Sequence, residues 1–240
     1  MSNEILDFTE SNQSLSKAQS KEFFRSVYTY MVLALVVSGF LAYWMAASGN
    51  VIKWFYNEHT MSMSPLMYVV IFAPVGLAFL IQGAYNRLSM PVLMGLFVLY
   101  AALIGTSLST IFFVYTSGQI ASTFFISAGA FAAMAVLGYT TKTDLTKMGS
   151  LLYMAFIGIF IASIVNIWVG SDGLDWIISI VGVFVFTGLT AYYMQNYKAI
   201  AQDTSIDAAD KKKLALIGGL QLYILFINLF MSLLRILNRD

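Results

Sequence analysis

The side chains in this chain that are able to do chemistry are polar but almost entirely neutral. Thr106, Ser107, Ser109 and Thr110 lie together in one long apolar stretch, Asn166 in another, Thr190 and Gln195 in a third, and Asn228 near the C-terminal end. The chain has 12 Asp and Glu residues, and none falls inside those stretches. Proton relays and cation sites within membranes are commonly built from buried carboxylates, so proton-coupled transport of that kind is not expected. Amides and hydroxyls can line a hydrated cavity, bond from helix to helix, or return to a carbonyl of their own helix and bend it. The sequence leaves these alternatives open. Zero cysteines exclude disulfides, thiolate chemistry and Cys-based metal sites. His59, the single histidine, stands beside Glu58 without a second nitrogen ligand nearby, so no metal centre is expected there. The 13 methionines show no ligand spacing and read as pliable packing. No nucleophile–base dyad, phosphate-binding loop or metal motif occurs, and the chain is expected neither to be an enzyme nor to need a cofactor.

The elements that must position these groups are set by the apolar stretches. Hydrophobic residues make up 59% of the chain and charged ones 10%, against about 25% charged in an ordinary soluble domain. A hydrocarbon core of roughly 30 Å takes about 20 apolar helical residues per crossing. Seven such spans are predicted, at 27–47, 66–84, 90–115, 120–139, 148–169, 176–197 and 214–236. The expected fold is an all-α membrane protein, a seven-transmembrane-helix bundle over residues 27–237 preceded by a polar tail at 1–26. That tail mixes Glu4, Asp7, Glu10 and Glu22 with Lys17, Lys21 and Arg25 and lacks the pattern of a cleaved signal, so the first span is expected to act as an uncleaved anchor. The longest uncharged run, between Arg87 and Lys142, divides at Thr116-Ser117-Gly118-Gln119. Pro74 should kink the second helix, and Pro91 falls in the first turn of the third, where its missing N–H costs little. The fourth helix holds Ser127, Ala128, Gly129, Ala130, Ala132, Ala133, Ala135 and Gly138. Small residues let backbones approach closely in lipid, which places this helix at the bundle centre.

Charge fixes an expected sidedness. Lys17, Lys21, Arg25, Arg87, Lys142, Lys147, Lys198, Lys211, Lys212 and Lys213 fall on one side of the predicted spans, and only Lys53, Arg235 and Arg239 on the other. The positive-inside rule then puts the N-terminus in the cytoplasm and the C-terminus outside. Trp44, Trp54, Trp168 and Trp176 all fall at the predicted outer boundary, as an aromatic belt requires. Lys211-Lys212-Lys213 reads as an anchor at anionic headgroups. A net charge of +1 argues against nucleic acid as a partner. Asp144, between Lys142 and Lys147, is suited to cap the fifth helix or to meet a partner.

Several phrases occur in the order and spacing of one family. They are Phe23-Phe24-Arg25-Ser26-Val27-Tyr28, Gly105-Thr106-Ser107-Leu108-Ser109, and Gly138-Tyr139-Thr140-Thr141-Lys142-Thr143-Asp144-Leu145. Beyond these come Ile161-Ala162-Ser163-Ile164-Val165-Asn166, Thr190-Ala191-Tyr192 with Gln195 and Lys198, and Phe226-Ile227-Asn228-Leu229-Phe230 with Leu233-Leu234-Arg235. From about Phe23 to Leu237 the chain resembles a bacterial member of the Bax inhibitor-1, or transmembrane Bax inhibitor motif, family. The resemblance implies seven helices with the seventh at the centre, a cytoplasmic N-terminus in the bacterial inner membrane, and a pH-sensitive calcium leak linked to stress survival.

The resemblance also implies a gate: hydrogen-bonded aspartates, one each in helices six and seven, latched by an arginine near the cytoplasmic end of helix two. Two carboxylates at close range in a low dielectric titrate as a coupled pair. This sequence departs from that pattern. The helix-six position, after Thr190-Ala191-Tyr192, is Tyr193, and the helix-seven position, before Phe226-Ile227-Asn228, is Leu225, while Arg87 occupies the latch position. Three readings follow. Tyr193 offers Arg87 a phenol and a π face; or Arg87 snorkels to the headgroups with Tyr193 and Leu225 as packing; or a pore is gated elsewhere. The expected function is a leak for calcium or another cation in contact with the lipid bilayer, lacking the family's carboxylate sensor. The alternative is a membrane adaptor that binds and restrains a quality-control protease or another membrane complex, as resemblance to some bacterial relatives implies.

Overall fold

The computed structural model describes residues 2–55, 62 and 64–239, with side chains described from residue 18 onward except at 50, 52 and 53. His59 and Glu58 lie outside the described residues. Every regular element among the described residues is helical: α1 (Ser2–Ser48), α2 (Asn50–Phe55), α3 (Pro65–Ala84), α4 (Met90–Leu108), a 3₁₀ turn (Ser109–Phe113), α5 (Ser117–Thr140), α6 (Thr146–Val169), α7 (Asp172–Gln202) and α8 (Ala208–Leu237). Among the described residues seven helices are long and apolar enough to cross a bilayer, one of them the Ala18–Ser48 part of α1, so the all-α expectation with seven helices of membrane length holds.

Local chemistry sets the helix ends. Pro65 and Pro91 fall in the first turns of α3 and α4, after Ser64 and Ser89 in extended backbone, where a proline's fixed φ is already helical and its missing N–H is not needed. Pro74 sits inside α3. The Thr106, Ser109 and Thr110 hydroxyls donate to the carbonyls of Ala102, Thr106 and Ser107 at 2.9, 2.6 and 2.9 Å. Here α4 tightens into the 3₁₀ turn, and α5 begins at Ser117, inside the break the sequence predicts. Gly170, at φ +63°, ends α6 in the left-handed conformation and donates to the Asn166 carbonyl. Ser171 then accepts from Leu174 N–H at 3.3 Å to open α7, whose first turn holds Asp172 and Asp175, acids that complement the positive end of the helix dipole.

The chain forms two compact units. One comprises Phe23–Thr116 and Ile206–Tyr223. Met45, Val51, Phe55, Met67 and Val70 form a buried cluster in it, with Ile71 and Leu103 packed alongside. Gly105 of α4 lies against the backbone of Ser38 in α1, so closely that an added Cβ would stand 2.5 Å from the Ser38 carbonyl oxygen. The other unit comprises Ser117–Ser205 and Ile224–Asp240 with the N-terminal residues to Glu22. In it α7 packs on α5 and α6, and Phe124 and Phe131 of α5 meet Phe226 of α8 edge to face at 5.4 and 5.7 Å. A Cβ on Gly138 of α5 would strike the Ala191 carbonyl of α7.

Enclosure falls on α8. Its apolar stretch is 61% buried, against 44% for α7, 22% for α5 and 6% for α6. This corrects the placement of the small-residue fourth span at the centre: on α5, Gly129, Ala132 and Ala133 are exposed, while Ser127, Ala135 and Gly138 are buried, and Gly138, unlike Gly129, meets a neighbouring backbone. Phe40, Phe79, Phe125, Trp168 and Phe184 are each at least 66% exposed. In water such a surface would drive association; in a bilayer it is the surface lipid contacts.

Candidate functional site

The positions implicated in a gate divide between the units. Arg87 belongs to the first, in the turn after α3; its side chain is exposed and joins no ion pair among the described residues. Tyr193 and Leu225 belong to the second. Tyr193 is half-buried, edge-on to Tyr192 at 5.3 Å and stacked with Tyr197 at 6.0 Å. Leu225 is fully enclosed at 1% exposure. A leucine there can neither share nor release a proton.

The neutral polar residues inside the spans are satisfied locally. Thr190 is buried and its hydroxyl donates to the Phe186 carbonyl at 2.7 Å, while Asn228 Nδ2 donates to the Ile224 carbonyl at 2.8 Å. Both bonds run four residues back along their own helix. Asn166 is also committed: Oδ1 accepts from Ser171 N–H at 3.0 Å and pins the α6–α7 turn. Of the three uses the sequence leaves open, Thr190 and Asn228 take return to their own helix, while Asn166 takes a fourth, fixing a turn.

Gln195 does something different. From α7 it reaches the α5–α6 connection, where Oε1 accepts from Leu145 N–H at 2.9 Å and Nε2 donates to the Thr143 carbonyl at 2.8 Å. Both ends of the amide are used, so its orientation follows from its neighbours. Three residues on, Lys198 Nζ donates to the Tyr139 carbonyl at 2.9 Å and stands 5.0 Å from the centroid of the Tyr139 ring. It thereby caps an open carbonyl in the last turn of α5 with a positive charge, the sign that end of a helix favours. Gly138 below it lets α5 touch α7, and Gly149 leaves room for the Tyr192 ring beside α6. The residues from Tyr139 to Leu145 are thus clamped onto α7 by two side chains one helical turn apart.

The clamp leaves Lys142, Asp144 and Lys147 exposed. Asp144 Oδ1 accepts from Thr146 Oγ1 at 2.6 Å and Thr146 N–H at 2.9 Å, serving an amide that the first turn of α6 leaves without a partner. Those two bonds, with Lys147 nearby, hold the carboxyl below its ordinary value. The capping role is realised, from the residue before the helix cap.

A second cluster ties the C-terminal end of α8 to α7 and α5. Arg235 NH1 and Asp175 Oδ1 form an ion pair at 2.9 Å, both side chains about two-fifths exposed. The Arg239 guanidinium stands 5.7 Å from the centroid of the Trp176 ring, and Asn238 Nδ2 donates to Thr123 Oγ1 at 3.2 Å. The sequence does not single out this pairing, because Asp175 and Arg235 are 60 residues apart; their position at span ends is the one signal.

The chain matches the family described as inhibitor of apoptosis-promoting Bax1 over residues 20–240. It is 41% identical to an uncharacterized protein of Borreliella burgdorferi over 98% of both chains. It is 40% identical to the inner membrane protein YbhL of Escherichia coli K12 over 92% of each. With the uncharacterized protein RP147 of Rickettsia prowazekii it shares 35% identity over 98% of each.

Proposed function

From the premise that the chain belongs to the Bax inhibitor-1 family, we propose that it is a non-enzymatic, multi-pass protein of the bacterial inner membrane that lets calcium or another cation leak, with a response to stress as the setting. The inner-membrane location rests on seven membrane-length helices together with the similarity to YbhL. The orientation proposed is N-terminus inside and C-terminus outside. The Lys and Arg asymmetry supports it, as do the four tryptophans, each exposed and each at an end of a predicted span away in sequence from the basic loops.

The leak itself comes from the family; its insensitivity to pH comes from this chain's residues. The observation that carries it is the pair Tyr193 and Leu225, a stacked phenol and a fully buried aliphatic side chain, where the family's sensor needs two carboxylates. With no acid to share a proton there, flux has no coupled titration near neutrality to follow. Purified protein in sealed vesicles should pass calcium at a rate that changes little between about pH 6 and 8. Tyr193→Asp combined with Leu225→Asp should make that rate steeply pH-dependent. A steep native profile that survives both Tyr193→Phe and Arg87→Gln would overturn the assignment of these positions.

A second reading is an adaptor that restrains a membrane quality-control protease or another complex. What favours it is that Thr106, Ser109, Thr110, Thr190 and Asn228 all spend their donors on carbonyls of their own helices. An adaptor would be silent in vesicles and would lose its partner on deletion of the polar N-terminal tail or of the Lys198–Lys213 connection.

A further inference from the structure

α6 is the least enclosed of the membrane-length helices: only 6% of its apolar stretch is buried, and its main neighbour is α7. The uncovered side is one continuous stripe of Lys147, Leu151, Met154, Gly158, Ile161 and Val165, spaced four and three residues apart as a single helix face requires, and every member is exposed. Gly158 makes a notch in it, since a Cβ there would meet nothing within 4 Å. A cation therefore stands at one end of a run of apolar surface, and a second, Lys142, lies exposed in the connection that leads into α6. Neither lysine forms an ion pair among the described residues. Asp144 is the single acid between Tyr139 and Tyr153, and its Oδ1 is already taken by Thr146. Lys198, bound to the Tyr139 carbonyl, adds a third positive charge to the same end of the unit.

The clamp decides what such a pattern can hold. A mobile basic loop attracts anions diffusely, because ordering it opposes binding; here Gln195 and Lys198 fix the connection, so the backbone carrying Lys142 and Lys147 is already in place. A soluble anion would use the lysines and leave the stripe bare. A second copy of this chain, docked on the stripe about a two-fold axis along the bilayer normal, would set Lys147 against its own counterpart, and like charges oppose that contact. A molecule with a negative head and an apolar tail suits both parts. We propose that α6 and the connection before it form a binding site for an anionic phospholipid: Lys142 and Lys147 hold the headgroup phosphate, and an acyl chain lies along Leu151, Met154 and Ile161 over the Gly158 notch. Tyr139 and Tyr153, both exposed, flank the connection at the depth where aromatic side chains meet headgroups. The site requires neither the leak nor the adaptor reading.

Phosphatidylglycerol carrying a photoreactive group beside its phosphate tests it, titrated into the full chain in phosphatidylcholine nanodiscs, with crosslinks located by peptide mass spectrometry. Crosslinks should concentrate in residues 142–154 and be displaced by unlabelled phosphatidylglycerol, but not by phosphatidylcholine with the same chains. Lys142→Gln combined with Lys147→Gln should weaken binding about 30-fold, the product of two interfacial charges, whereas Lys142→Arg with Lys147→Arg should keep it. Lys211→Gln with Lys212→Gln should leave these crosslinks unchanged. Four results would each overturn the site: no crosslinks in 142–154, displacement by phosphatidylcholine, displacement by soluble glycerol phosphate as readily as by phosphatidylglycerol, or an equal loss in the Lys211 and Lys212 variant. The third would mean a phosphate site without a lipid, and the last a diffuse basic field.

Discussion

Removing the Gln195 amide is the most direct probe of the α5–α6 clamp. Gln195→Ala deletes both bonds that fix Thr143–Leu145 to α7, and the two losses differ in kind. Leu145 is 8% exposed, so its N–H is left without a partner where water reaches poorly, at a cost of about 1–3 kcal/mol. Thr143 is exposed, so its carbonyl rebonds to water and the second bond contributes only about 0.5–1.5 kcal/mol. The first effect dominates and is local, since Leu145 marks the start of α6. At about 1.4 kcal/mol per factor of ten, the Leu145 amide should exchange hydrogen roughly five- to 150-fold faster, if exchange follows local opening. Hydrogen–deuterium exchange of peptides covering 139–150, with protein in nanodiscs, reads this out. Gln195→Glu separates the two bonds, because a carboxylate oxygen still accepts from Leu145 N–H but cannot donate to Thr143. Its effect on Leu145 should be the smaller. If the Leu145 amide in Gln195→Ala exchanges within about twofold of the native rate, the bond does not hold the loop, and the clamp is an incidental contact.

Three further outcomes follow from the same geometry. Asp144→Ala should loosen the first turn of α6 more than Asp144→Asn, which keeps an acceptor for Thr146; exchange at Thr146 distinguishes them. Because the Asp144 carboxyl is held below its ordinary value, its contribution is present above the ordinary carboxylate range and is lost as pH falls through the lowered value, so acidification of the native protein should bring its Thr146 exchange toward that of the Ala variant. Gly138→Val puts carbon where the Ala191 carbonyl lies and should cost about 1–3 kcal/mol or more in thermal stability, whereas Gly129→Val, which meets nothing within 4 Å, should be tolerated. Arg235→Gln breaks an ion pair that is about two-fifths exposed on both sides, so its penalty should stay under about 1 kcal/mol and shrink with added salt.

The contrast between Gly138 and Gly129 shows where sequence ceases to inform. The seven spans are legible because the bilayer sets a length and forbids charge over it, and both conditions can be checked residue by residue. Which face of a span turns inward is not. In a soluble helix the enclosed face is the apolar one, but in lipid both faces of α5 are apolar, and the same small residues stand on the buried and the exposed sides. Smallness licenses a close approach without stating where it happens; the Ala191 carbonyl decides that, and it lies 53 residues away from Gly138.

The polar residues carry the same ambiguity one level down. Thr190, Asn228 and Gln195 look alike in sequence, as uncharged hydrogen-bonding groups in or beside an apolar run. A carbonyl four residues back is always within reach of a Thr or Asn on a helix, and Thr190 and Asn228 take it. The Gln195 amide, one methylene longer than asparagine's, instead finds an amide and a carbonyl left open by the loop between α5 and α6. The partners a helix leaves unsatisfied at its ends thus determine which polar side chain becomes structural. That is why the phrase from Gly138 to Leu145 and the pair Gln195 and Lys198, separate in sequence, act as a single device, and why substitutions in either should produce the same local opening.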